Sequence, residues 1–243
     1  MRPKLVALGC TVAGALGFLA LPSGAAHATA LPKPAMSVST PPGGYAYGTK
    51  VTVTVTLKAK LAGGTVSLYA TPAGRTRTLV EKGKVNAAGK LYPVYPLTTT
   101  TTFTAVFAGS ADNAPATASR TVTPAARVTD AITGYYTTVT ISGISYRVFH
   151  ASGTLTLHST VTPNKHGECL EPETEQYDAG SGWDADTTYG CDYLDSQSHD
   201  AAPFTLGQAA GDQYRVRSDY MRSAKDTTNL SSSGPWLYFE VVK

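Results

Sequence analysis

Residues 50–58, KVTVTVTLK, place Val51, Val53, Val55 and Leu57 in strict alternation with Thr52, Thr54 and Thr56. Successive side chains of a strand point to opposite faces, so the run predicts one apolar and one hydroxylated face. A helical period would scatter the valines around its surface, and β-branched residues favour the pleated form. The same two-residue period recurs along the chain. In the first half it predicts short strands around Met36–Val38, over 65–70 (TVSLYA), over 75–81 as a polar edge, over 91–97, at the end of 98–107 and over 116–123. Turn chemistry separates them: PPGG at 41–44, Leu61-Ala62-Gly63-Gly64, Pro72 to Gly74, and Ala87-Ala88-Gly89. About seven short strands at this spacing predict a β-sandwich.

After Pro124-Ala125-Ala126-Arg127, which reads as a short linker, the pattern continues with more aromatics and acids. Val139 and Ile141, the turn at Ser142-Gly143, and Ile144, Tyr146 and Val148 predict a hairpin. Leu155, Leu157 and Val161 mark the next strand face. Tyr214, Val216 and Tyr220 share one face, with Arg215, Arg217 and Asp219 on the other, and 236–242 reads as a closing strand. The fold class expected is all-β, two immunoglobulin-like sandwiches in tandem. Residues 1–30 form a signal peptide, 31–124 the first sandwich, 125–131 the linker and 132–243 the second sandwich.

The signal peptide follows from Arg2 and Lys4, an apolar run from Leu5 to Leu21, and small-residue cleavage sites at Ala28 or Ala30. Cys10 lies inside that run. Removing it leaves Cys169 and Cys191, which in an exported chain read as one disulfide, with a closed loop contributing about 3 kcal/mol through chain entropy. The formal charge of +3 is the sum of unlike parts. Residues 31–127 carry eleven Lys and Arg against two acids, a net +9, and residues 128–243 carry seven against fifteen, a net −8. Such a split marks separately folded units.

Several motifs of the first half, in order, are YGTKVTVT (47–54), GTVSLYATPAG (64–74), VNAAGKL (85–91), TTFTAVFAG (101–109) and APAT (114–117). Together they resemble a bacterial immunoglobulin-like domain of secreted actinobacterial proteins. The resemblance implies a spacer or ligand-presenting module. Ser110-Ala111-Asp112-Asn113 stands where the family carries an acidic pair, so no cation site is carried over. The second half, through Gly134-Tyr135-Tyr136, the run 146–150, the run 214–217 and the run 234–239, resembles the C-terminal β-domain that follows such modules. That resemblance implies a fold and an exported setting.

Between Glu168 and Asp200 stand ten acids and no Lys or Arg, interleaved with Tyr177, Trp183, Tyr189 and Tyr193. The reading preferred is a solvated acidic loop clasped by Cys169 and Cys191. Two ligand chemistries compete with it. Asp184, Asp186 and Asp192 offer the hard oxygens that calcium prefers, although Tyr189 stands where an EF-hand loop needs glycine. Trp183, Tyr189 and Tyr193 offer flat faces for sugar rings. Ten acids always provide pairs, so an acid-pair polysaccharide hydrolase has little specific support. No GxSxG, HExxH or phosphate loop occurs.

The sequence therefore predicts a secreted, non-catalytic structural, adhesive or ligand-binding protein of the cell envelope or extracellular space. The alternatives are a carbohydrate-binding protein, calcium-assisted or not, and the hydrolase. No catalytic residue and no cofactor other than calcium is expected. The partner expected is a cell-wall polymer, glycan or protein, not nucleic acid, and not a membrane once the leader is cleaved. With no sorting motif before Lys243, the expectation is release or loose, non-covalent association with the wall.

Overall fold

The computed structural model describes residues 30–57, 63–206 and 211–243. The expected export segment up to residue 29 with Cys10, the end of the first strand at Lys58, and Leu61-Ala62 of the following turn lie outside the described residues. Every regular element among the described residues is a strand. The first half contains β1 (Met36–Ser39), β2 (Thr49–Thr52), β3 (Thr54–Leu57), β4 (Thr65–Pro72), β5 (Thr78–Lys84), β6 (Lys90–Leu91), β7 (Val94–Leu97), β8 (Thr101–Phe107) and β9 (Ala116–Val122).

Val53 interrupts the KVTVTVTLK strand, yet its N–H still donates to the Pro93 carbonyl at 2.8 Å, so β2–β3 runs alongside β7–β6 as one long ribbon. Counted this way, the described residues of this half form seven strands. The first, second and fifth (β1, β2–β3, β6–β7) pair in one layer, and the rest form the sheet β5-β4-β8-β9. That division is the immunoglobulin-like one. Val51, Val53, Val55 and Leu57 are all buried against Val66, Leu68, Phe103 and Phe107, as the alternation predicts. The polar edge strand lies three residues later than expected, at Thr78–Lys84, because Ala73 to Arg75 close the preceding turn.

The second half contains β10 (Arg127–Thr133), β11 (Thr137–Ile141), β12 (Ile144–His150), β13 (Thr154–Thr162), β14 (Cys169–Asp178), β15 (Gly182–Thr188), β16 (Asp192–Tyr193), β17 (His199–Thr205), β18 (Gln213–Met221), β19 (Ser232–Ser233) and β20 (Leu237–Val242). A three-stranded sheet, β10-β13-β17, faces a mixed sheet of order β11-β12-β20-β18-β14-β15, in which β12 and β20 run parallel. The predicted hairpin is β11–β12. Ser142 and Gly143 take φ of 51° and 84°, the left-handed pair of a type I′ turn.

The core of this sandwich is divided by a polar layer. Inward positions run Val128, Asp130, Ile132 on β10, then Val161, Ser159, Leu157 on β13, and Tyr220, Ser218, Val216 on β18, so each strand is apolar, polar, apolar at every second residue. Ser159 and Ser218 share a hydrogen bond of 2.7 Å, and the Ser218 N–H donates to Asp130 at 3.0 Å. Gly234 makes room for this carboxylate: a Cβ there would lie 1.9 Å from Asp130 Oδ2. Burial raises the Asp130 pKa above the ordinary carboxylate value, against the opposing pull of its serine hydrogen bonds.

Residues 32–243 form one compact unit. The segment expected as a linker is fixed rather than free. Ala125 donates to the Tyr45 carbonyl at 2.7 Å, Ala126 donates to Leu230 at 3.0 Å, and β10 has already begun at Arg127. Free backbone polar groups at a junction need partners, and neighbouring chain supplies them. The loop after β18 completes the tie. Asn229 is wholly buried, and its amide donates to the carbonyls of Thr98 and Pro124, while Thr100 N–H donates to Thr228 at 2.6 Å. Lys165 anchors this loop from below. Its ammonium, with the residue 5% exposed, donates to Asp226 and Thr228 at 2.7 Å each and to Asn229 at 3.0 Å. Burial works against charge on Asp226, but hydrogen bonds from Lys165, Thr228 and Tyr220 outweigh it and hold its pKa well below the usual range.

Two outcomes are expected. Lys165→Met strands the buried Asp226 carboxylate and lowers unfolding free energy by about 3–5 kcal/mol, whereas Arg217→Met, in a half-exposed pair, costs about 1 kcal/mol or less. Equal losses in urea melts would refute the assignment of Lys165 as the anchor. The raised pKa of Asp130 means that its contribution is fully present below the unfolded carboxylate pKa and is lost as pH rises through the folded one. Asp130→Asn should therefore raise the melting temperature at neutral pH and lose that advantage near pH 3. A pH-independent change would contradict a buried ionising carboxylate.

Candidate functional site

The acidic stretch is a hairpin rather than a loop. β14 lies inside the large sheet, between β18 and β15, and its outward residues are Glu171, Glu173, Glu175 and Tyr177. The cations missing from the local sequence arrive across the ladder. Glu173 pairs opposite Arg217, which donates from Nε at 2.9 Å, and Glu175 opposite Arg215, which donates at 2.7 Å. Trp183 and Trp236 flank the guanidiniums: Arg215 lies 4.7 Å from the Trp183 ring centre and 4.3 Å from that of Trp236, and Arg217 lies 4.2 Å from Trp236. Tyr177 and Tyr238 meet the Trp183 ring edge-on at 5.3 and 5.6 Å, and Tyr146 packs on Tyr238. The outer face of the sheet thus carries a ladder of alternating aromatic rings and paired charges. Cation–π contacts add to each ion pair.

The sugar-stacking residues expected from sequence separate in space. Trp183 belongs to this outer ladder, one face against Arg215. Tyr189 lies on the opposite side of β14, edge-on to Phe204 at 4.8 Å. Tyr193, 71% exposed on β16, belongs to neither group. The three expected calcium ligands separate too. Asp184 accepts from the Ser181 hydroxyl, Asp186 accepts from Thr174 at 3.2 Å, and Asp192 lies beside Asp200. Asp184 is opposite Gln176 and Asp192 opposite Leu170, six positions along β14, or about 20 Å. Among the described residues no three His, Cys, Asp or Glu side chains come close enough to hold a metal. The disulfide joins Cys169 to Cys191 with Cα atoms 5.3 Å apart, as the cysteine count predicts.

What the fold does assemble is a cleft of about 120 Å³ at the mouth between the two sheets. Leu155, Phe204 and Val216 line its apolar part, and Thr174, Asp186, Tyr189 and Tyr214 its polar part. The β-bulge between Thr174 and Glu175 shifts the register of β15 and leaves Asp186 outside the regular pairs, where it meets Thr174. Burial, followed by the nearby Asp212 carboxylate, pushes the Tyr214 phenol up to about 12. Sequence reading found Asp186 and Tyr189 but not Phe204 or Tyr214. The inward phase of Tyr214 was visible in the alternation; the approach of Phe204 from the opposite sheet had no local signal.

No protein-family model and no curated protein matches the chain. Among solved structures it is similar to the D0-D1 domain of intimin, at 14% identity, covering 85% of this chain and 97% of that one, with a TM-score of 0.28.

The Tyr214 shift has a testable sign. A phenol whose folded pKa exceeds its unfolded value stabilises the fold below about pH 10, and that contribution is lost as pH rises towards 12. Tyr214→Phe should flatten the fall in stability between those values. An unchanged alkaline slope in denaturant melts would count against the buried phenol.

Proposed function

We propose that the chain is an exported structural or adhesive protein of the cell envelope or extracellular space. In this reading residues 31–124 and 132–243 act as tandem domains, the first as a spacer and the second as the presenting surface. One observation carries it: the junction is closed by buried hydrogen bonds from Asn229 to Thr98 and Pro124, so a contact made by one half bears on the other without slack. The disulfide fits an oxidising compartment. Glu173 and Glu175 on the outer face, each already paired with an arginine, suit a durable surface better than a reactive one.

A second reading is carbohydrate binding, favoured by the placement of Asp186 and Tyr189 around one cleft. The cleft is smaller than the 300 Å³ or so at which small-ligand sites usually begin, so it suits the edge of a ring, with the rest of a glycan lying along the surface.

Backbone ¹⁵N relaxation of the purified chain is expected to give one correlation time for both halves, and Asn229→Ala to give two. Two correlation times in the unaltered chain would rule out the rigid-spacer reading. For the second reading, cell-wall glycan fragments should bind, and Tyr189→Ala should abolish that binding while Tyr193→Ala leaves it intact. Retention in Tyr189→Ala would exclude the cleft.

A further inference from the structure

The large sheet ends in two unlike edges. At one end lies β15 with β16, carrying Asp184, Asp186 and Asp192. At the other lies β11, Thr137-Thr138-Val139-Thr140-Ile141, which carries no charge, no proline and no glycine. Among the described residues it pairs on one side only, with β12, and four of its five residues are exposed. An open row of backbone donors and acceptors is a template for another strand, and proteins usually blunt it with charge, proline or a bulge. The other edges here, β1 apart, are blunted in that way. Among the described residues, β5 carries Glu81, Lys82 and Lys84, β9 carries Arg120, β10 carries Arg127, and β17 carries Asp200 and Pro203. The short β1 has no charge but lies against β9.

We propose that β11 is a self-association edge, pairing antiparallel with β11 of a second copy of this chain around a two-fold axis at Val139. The sequence is its own complement in that register. Thr137 meets Ile141, Thr138 meets Thr140, and Val139 meets its equivalent, so every cross-strand pair is β-branched and none opposes like charges. Thr137, Val139 and Ile141 lie on the face that also holds the buried Val148 and Tyr146 of the neighbouring strand. Pairing extends that apolar strip across the axis and covers Val139, which is 38% exposed.

For a second copy, charge makes this edge less repulsive than the acidic one. The second half is net −8, and its edge acids lie five strand spacings from β11, about 24 Å. Joining two β11 edges sets the acidic edges at the far ends of one continuous sheet, well beyond the screening length of about 8 Å at physiological salt. Joining β15 edges would bring those carboxylates together.

Sedimentation velocity of the purified full chain, from micromolar to millimolar, tests the proposal. A monomer–dimer equilibrium is expected, weakened roughly tenfold or more by Val139→Lys, which sets two ammonium groups on the axis. An equal mixture of Val139→Lys and Val139→Glu should restore the dimer. Thr138→Lys, on the opposite face of the strand, should weaken it too, and circular dichroism melts report whether either variant still folds. A chain that stays monomeric throughout, a dimer indifferent to both lysines, or higher polymers would each overturn the two-fold β11 contact.

Discussion

A buried ammonium group governs how this chain closes. Lys165 Nζ sits among Asp226, Thr228 and Asn229, and the charge it brings inside must be matched there or the loop cannot close over it. Matching it orders residues 226–229. That order points the Asn229 amide and the Thr228 carbonyl at Thr98, Thr100 and Pro124 of the first half. One desolvated cation in the second sandwich therefore determines the hydrogen bonds of the joint between the halves. Tyr220, whose hydroxyl donates to Asp226 at 2.6 Å, links the same joint to the hydrophobic cluster beneath it.

The second sandwich contains one more departure from an apolar interior. Asp130, Ser159 and Ser218 form a hydrogen-bonded seam between the cluster around Tyr220 and the cluster around Phe239. Buried polar groups of this kind weaken a core relative to hydrocarbon, but they fix register, because a two-residue slip would place Asp130 against valine or leucine. On the outer face, register is fixed in another way. Arg215 and Arg217 meet Glu175 and Glu173 only when β18 and β14 align as they do. Half-exposed ion pairs contribute little to stability, yet a two-residue slip in one direction would add Glu173 against Asp219, the acid that Glu171 already faces in the native register.

These devices bear on function through surface chemistry. Because the arginines and glutamates of the ladder neutralise one another, the large sheet is left with an acidic edge, an uncharged edge and an aromatic-lined cleft between the layers.

The strands themselves were legible because burial on one side of a pleat writes a two-residue period into the sequence. Val51, Val53, Val55 and Leu57, Leu155 with Leu157, and Tyr214 with Val216 all face inward as that period requires. The turn at Ser142-Gly143 and the pairing of Cys169 with Cys191 were legible for equally local reasons. Partners across a sheet are set by long-range register, which no local pattern records. Glu173 and Glu175 looked like a solvated acidic run until Arg217 and Arg215 arrived from forty and more residues away. Trp183 and Tyr189 looked like one platform until the two faces of β14 parted them. Alternation in one strand determines which side is buried; only tertiary pairing decides what each side meets, since it brings together chain that is distant in sequence.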